Sequence, residues 1–100
     1  MLLNNEFEPI REWAEERGLY EKGDKKTQLI KLMEEVGDLS NAVLNNDRNE
    51  IEDAIGDCVV VLTNLAHLSN LQIEGCIESA YSVIKHRKGK MINNTFVKDK

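Results

Sequence analysis

The chain has 100 residues, a formal charge of −5 and 41% apolar content, of which only five residues are aromatic. That length supports one small domain, which buries about two-thirds of its unfolded surface, and the scarcity of aromatic residues favours a helical, aliphatic core over a β-sandwich. The negative balance disfavours nonspecific binding to nucleic acid, whose phosphates need a basic surface, although residues 85 to 90 read Lys-His-Arg-Lys-Gly-Lys, a basic island in an acidic chain.

In chain order, residues about 4 to 17 form a first amphipathic segment, with Phe7, Ile10, Trp13 and Ala14 at helical spacing. Gly18 and Gly23 bracket a connection containing Leu19 and Tyr20. Asp24 is placed to cap a second helix running to about Leu44, with Leu29, Leu32, Met33, Val36, Leu39 and Val43 on its buried side. Asn45-Asn46-Asp47 supplies turn chemistry, and Asp47 is a second candidate cap. A third helix is predicted over about 48 to 69, carrying Ile51, Ile55, Val59, Leu62, Leu65, Ala66 and Leu68. Its stretch Cys58-Val59-Val60-Val61-Leu62 is β-branched, but the helical period continues through it. A helix apolar on all sides needs more cover than one small chain offers, so self-association through this central helix is expected. Ser69-Asn70 ends it, a fourth helix covers about 73 to 87, and Gly89 leaves a basic tail, about 88 to 100.

The start Met-Leu-Leu-Asn-Asn-Glu-Phe-Glu has no basic n-region and no long apolar stretch. The longest apolar run, Cys58 to Leu62, is five residues, far short of a membrane span. Cys58 and Cys76 lie inside apolar helical patterns and read as buried, reduced thiols. An intracellular protein without a membrane partner is expected.

Two copies of one small pattern stand out. Glu34-Glu35-Val36-Gly37-Asp38 and Asp53-Ala54-Ile55-Gly56-Asp57 both read acid, x, aliphatic, Gly, Asp, offset by 19 residues. Glu34 and Asp38 share a helix face, as do Asp53 and Asp57. If the chain reverses near Asn45-Asn46, residues whose numbers sum to 91 lie level, which sets Glu34 against Asp57 and Asp38 against Asp53. Glu35 and Glu50 fall nearby. Like charges held that close either take up protons or bind a cation, and Mg²⁺ suits an all-oxygen cluster. Each Gly costs roughly 1 kcal/mol relative to Ala in a helix, so its recurrence implies close approach of a second helix or a ligand.

These residues resemble the paired acidic helices of the MazG-like nucleoside triphosphate pyrophosphohydrolases, whose usual pattern is EExxE, a spacer, then ExxD. The resemblance covers roughly residues 10 to 98. It includes Trp13-Ala14-Glu15-Glu16-Arg17-Gly18 and the run from Ala80 to Met91, followed by Asn93 and Phe96-Val97-Lys98, and it is greatest to the short MazG-like proteins of phages. Asp38 stands where the pattern has its third Glu, and Ala54 stands where the pattern has Glu, with Asp53 beside it as the stand-in. The resemblance implies an all-α bundle of four to five helices, oligomerising through its central helices as a homodimer or homotetramer, in the cytoplasm of a bacterial cell or a phage-infected host. It also implies an activity: NTP or dNTP plus water gives the monophosphate plus pyrophosphate, with Mg²⁺ or, alternatively, Mn²⁺ as cofactor. By that likeness Glu35, Asp38 and Asp57 match metal ligands. Glu34 and Asp53 join them on geometry, and Glu34 is the choice for general base.

Lys85, Arg87 and Lys88 read as a phosphate-binding segment, Arg87 suited to a bidentate contact and the lysines to point charges. Trp13 and Tyr81 are candidate base-stacking groups that also fit a core. His67 and His86 have no nucleophile beside them in sequence and receive no chemistry. The alternative to an enzyme is a nucleotide-binding or regulatory module on the same scaffold, weakened by Ala54.

Overall fold

A computed structural model describes residues 6–100; the expected start of the first segment near residue 4 lies outside them. The helices are α1 (Phe7–Glu16), α2 (Leu19–Lys22), α3 (Lys25–Leu44), α4 (Arg48–Leu68) and α5 (Ile73–Ile84). A two-stranded antiparallel sheet, β1 (Gly89–Ile92) and β2 (Thr95–Lys98), closes the chain.

The helix ends follow from side chains legible in the sequence. Gly18 takes φ +76° between α1 and α2, a left-handed conformation that glycine adopts without cost, and the Gly18 N–H donates to the Glu15 carbonyl at 3.0 Å. The Asp24 carboxylate accepts from the Thr27 N–H at 2.8 Å and caps α3; that bond holds the Asp24 carboxyl below its usual range. Asn46, at φ +56°, ends α3 with Asn46 N–H to Val43 carbonyl and Asp47 N–H to Ala42 carbonyl bonds. Asp47 then caps α4 through the Glu50 N–H at 3.2 Å. The same device ends α4: Asn70 sits at φ +60°, with its N–H on His67 and the Leu71 N–H on Ala66.

The antiparallel pair α3–α4 is the principal packing unit, α1 and α2 lie on α4, and α5 touches α4. The core is narrow and centred on α4: Ala54, Cys58, Val61, Thr63, Asn64 and Ala66 are buried, with Ala14 from α1 and Ala42 from α3. Two polar links span it. The Tyr20 hydroxyl donates to Asn64 Oδ1 at 2.6 Å while its ring stacks on His67, centroids 3.9 Å apart. Arg11 makes a forked pair of 2.8 and 2.7 Å bonds to Glu74, joining α1 to α5. The guanidinium is held in its charged form first by that pair, against the cost of burial.

The structure corrects the reading of the sequence in four places. The Leu19-Tyr20 connection is helical. The fourth helix ends at Ile84 rather than near 87, because turn bonds from His86 and Arg87 to Val83 and Ile84 close its last carbonyls. The expected tail is a hairpin, turned by Asn93 and Asn94 at φ +50° and +68°, the two positive-φ positions that a two-residue hairpin loop of this twist requires. Several residues expected inside, among them Leu29, Met33, Val36, Val43, Ile55 and Leu62, are exposed in the single chain, and Cys76 is only half-buried while Cys58 is buried; both are free thiols. Among the described residues no single helix is long and apolar enough to cross a membrane.

Candidate metal and nucleotide site

Antiparallel packing of α3 on α4 brings the two acidic repeats together. A cleft of about 410 Å³ opens at the turn end of the pair, lined by Asp38, Asn41, Ala42 and Asn45 from the α3 side and by Asp47, Glu50, Asp53, Ala54 and Asp57 from the α4 side. Asp38 and Asp53, level by the sum rule, both line it. Ala42 and Ala54 are buried and form its floor, so the walls are carboxylates and amides over an apolar base.

Glu35 does not line this cleft but is linked electrostatically to two residues that do, Asp38 and Asp57. Desolvation first, then the negative charge of Asp57, with Asp38 adding both charge and a hydrogen bond, push the Glu35 carboxyl above its usual range; Lys31 opposes them. The neighbouring Cys58 thiol is raised by burial and by the same three carboxylates, so it remains protonated. Glu35 on α3 thus feels the charge of Asp38 on its own helix and of Asp57 on α4.

Glu34 is placed differently. Its carboxylate is 63% exposed and 3.9 Å from Lys31 Nζ, and it does not line the cleft. One helical residue is a turn of about 100°, which separates Glu34 from Glu35. Gly37 and Gly56 also differ from expectation: a Cβ at either would meet nothing within 4 Å. Close approach of α3 to α4 is therefore not what these glycines permit within one chain.

The donors fit a hard divalent ion in chemistry, since all are oxygens, and in charge, since Glu35 already feels the repulsion that a cation would relieve. Among the described residues no three acidic, His or Cys side chains are drawn into a coordinating arrangement; carboxylates on exposed helix faces would rotate to close on an ion.

Trp13 lines a second cavity, about 480 Å³, with Glu6, Pro9, Ile10, Val60 and Asp57. Asp57 therefore borders both the acidic cleft and an apolar one. Trp13 is 48% exposed rather than part of the core, with the Arg17 guanidinium 4.5 Å from its ring centroid. Tyr81 stands apart on α5, 59% exposed, with Lys85 Nζ 5.9 Å from its ring centroid. Lys85, Arg87 and Lys88 are exposed between α5 and β1 and line neither cavity. Asn41, Asn45 and Asp47 are cleft residues that the motif alone does not indicate; the signal for the two asparagines is their helical spacing from Asp38.

A small helical protein whose two longest helices enclose a carboxylate-lined cleft is the class that this fold and site define. A family model of the MazG nucleotide pyrophosphohydrolase domain matches residues 24–92, and the chain belongs to that family. The chain is also 45% identical over 62 residues to an uncharacterised 18.2 kDa protein from the rep-hol intergenic region of Haemophilus phage HP1 (strain HP1c1). That match takes in 62% of this chain and 38% of the phage protein, so the matched region spans under two-fifths of the relative's length. No solved structure matches the chain.

Proposed function

We propose that this chain is a Mg²⁺-dependent pyrophosphohydrolase that converts an NTP or dNTP to the monophosphate plus pyrophosphate. The observation that supports the reading is the cleft between α3 and α4 that Asp38, Asp53 and Asp57 line, in a chain whose family acts on nucleotides; Glu35, linked electrostatically to Asp38 and Asp57, is the third carboxylate of the proposed ion site with those two. Glu35, Asp38 and Asp57 would hold the ion, with Asp53 a fourth donor from the cleft wall. When bound, the ion supplies charge neutralisation for the triphosphate and acidifies water. Trp13 stacks the base in the adjoining apolar cavity, so that a nucleotide lies across Asp57 with its phosphates over the carboxylates. Lys85, Arg87 and Lys88 act on the phosphates, and Tyr81 is the weaker stacking candidate. A homodimer or homotetramer is the working assembly.

The base is the role with the most alternatives. Glu34 must swing past Lys31 to reach the cleft, whereas Glu50 already lines it. Loss of turnover in Glu34→Gln with Glu50→Gln unaffected assigns proton removal to Glu34; the reverse result moves it to α4.

The primary test is pyrophosphate release from a panel of NTPs and dNTPs with Mg²⁺, beside Asp57→Ala. Release that requires both the ion and Asp57 is expected; release indifferent to Asp57 overturns the site. A second reading, a nucleotide-binding module, is favoured by one observation: Ala54 sits on the cleft floor where the family pattern has a carboxylate. It predicts Mg²⁺-dependent nucleotide binding without pyrophosphate release.

A further inference from the structure

The cavity beside the acidic cleft has a composition of its own. Glu6, Pro9, Ile10 and Trp13 line it from the α1 side, and Asp57 and Val60 from α4. The first four are spaced i, i+3, i+4 and i+7, one stripe of a helix, and the α4 pair is i, i+3. The cavity is therefore a slot between two helix faces, largely apolar, with one carboxylate contributed from each side.

Glu6 is the carboxylate that the fold does not use. The four glutamates within α1, Glu8, Glu12, Glu15 and Glu16, line a different cavity with Arg11 and His67. Glu6 stands at the N-cap of α1, but its side chain makes no capping bond. Among the described residues it pairs with no cation, and it is exposed. Both of its oxygens are free to accept.

Trp13 supplies the aromatic wall. The Arg17 guanidinium covers one face of the ring at 4.5 Å and does not line the cavity, so the slot meets the ring where Arg17 leaves it open. Helical side chains lean toward the helix N-terminus, which tilts the Trp13 ring over Ile10 in the direction of Glu6. Seven residues at about 1.5 Å of rise separate the two by about 10 Å along the axis. A ring stacked on Trp13 and an extended glutamate side chain cover that distance together.

We infer that Glu6 selects the base of the nucleotide, and that the base it selects is guanine. With Asp57 given to the ion, Glu6 is the polar group left in the cavity among the described residues. An ionised carboxylate only accepts hydrogen bonds, so it favours a base edge made of donors. Guanine presents two adjacent donors, N1–H and the N2 amino group, which match the two carboxylate oxygens in a charge-assisted pair. Adenine and cytosine set an amino donor beside a ring-nitrogen acceptor. Uracil and thymine set one N–H between two carbonyls. Each of these turns a lone pair on the carboxylate. Discrimination by an exposed pair falls at the low end of a bidentate base contact, about tenfold. The inference rests on the nucleotide reading above and adds the base and the residue that reads it.

Trp13 is the only tryptophan in the chain, so its fluorescence reports on this cavity without needing turnover. GMP, AMP, CMP and UMP are titrated in the presence of Mg²⁺. GMP should quench saturably, with a Kd about tenfold below the other three. Glu6→Ala should level the four, and Glu6→Gln, whose amide both donates and accepts, should move the preference from GMP toward AMP, each with the far-UV helical signal unchanged. Four equal Kd values, quenching that does not saturate, or a GMP preference that survives both substitutions overturns the inference. Pyrophosphate release from the triphosphate panel separates the two readings. Release without a guanine preference in kcat/KM overturns the base assignment and leaves the hydrolase standing. GMP-selective quenching lost in Glu6→Ala, without release from any triphosphate, supports the base assignment and overturns the hydrolase.

Discussion

Tyr20→Phe is the sharpest probe of the core because it removes one oxygen and little else. The Tyr20 hydroxyl donates to Asn64 Oδ1 at 2.6 Å, and Asn64 is 2% exposed, so water cannot readily replace the lost donor. The ring keeps its stacking on His67. Leaving a buried amide oxygen unpaired costs about 1–3 kcal/mol. With a Tm change of about 4–8 °C per kcal/mol for a domain of this size, a loss of 1.5 kcal/mol lowers Tm by about 6–12 °C. Burial also raises the Tyr20 pKa. The folded state therefore holds this proton more tightly than the unfolded state, whose phenol titrates near its ordinary value of about 10. The contribution is complete below that value and is lost as pH rises through the higher folded value. The assay is thermal melting of wild type and Tyr20→Phe at one fixed protein concentration, since association shifts Tm, from pH 7 to 11. A gap of several degrees at pH 7 that narrows above pH 10 is expected. A gap below 2 °C at pH 7, or one that widens with pH, refutes the reasoning.

Three further outcomes follow from the site. Mg²⁺ at 100 times its Kd should stabilise the wild type by about 2.7 kcal/mol through linkage, seen as a Tm rise that is absent in Asp38→Asn and Asp57→Asn; equal rises in all three would remove these residues from the ion site. In chelator, Glu35→Gln should melt above the wild type at pH 7, because the raised Glu35 pKa marks desolvation first, then repulsion from Asp57 and Asp38, both felt only when the group is ionised. That gap should close as pH falls through the carboxylate range, and a variant less stable at every pH contradicts it. Trp13→Ala should raise KM about tenfold, within the 1–3 kcal/mol scale of base stacking on an aromatic ring, with kcat little changed and Trp13→Phe largely rescuing; a loss in kcat alone would make Trp13 structural.

Much of the helical frame is legible because its punctuation is chemical. Asp24 and Asp47 announce helix starts by accepting backbone N–H bonds, and Asn46 and Asn70 announce stops by tolerating positive φ. The spacing of Asp38 and Asp53 places both on one cleft by arithmetic alone. Other features are hidden for physical reasons. Periodicity shows which side of α3 is apolar but not what covers it, so Leu29, Met33 and Val36 read as core although the single chain leaves them exposed. The hairpin is masked by its basic flank and by an Asn-Asn turn, a weaker signal than Asn-Gly. Glu34 and Glu35 differ by one position, and only the packing of α4 distinguishes the residue beside Asp57 from the residue beside Lys31.

Ala54 is where the family pattern and this chain's fold meet, and Ala54→Glu tests both. The position is 5% exposed on the cleft floor, flanked by Asp53 and one turn from Asp57 and Glu50. Enlarging a packed site costs about 1–3 kcal/mol, and a further carboxylate in an already acidic cleft adds repulsion, so the metal-free variant should melt at least 4 °C below the wild type. An ion bound by the new carboxylate reverses the repulsion but not the overpacking. Saturating Mg²⁺ should therefore recover part of the loss, and the variant should bind the ion more tightly than the wild type does. Faster pyrophosphate release would then mean that Ala54 leaves a ligand position unfilled in an otherwise competent enzyme. Tighter binding without faster release would point to a nucleotide holder. A variant destabilised equally with and without the ion would show that residue 54 only packs the floor, leaving Asp53 as the fourth donor that completes the set with Glu35, Asp38 and Asp57.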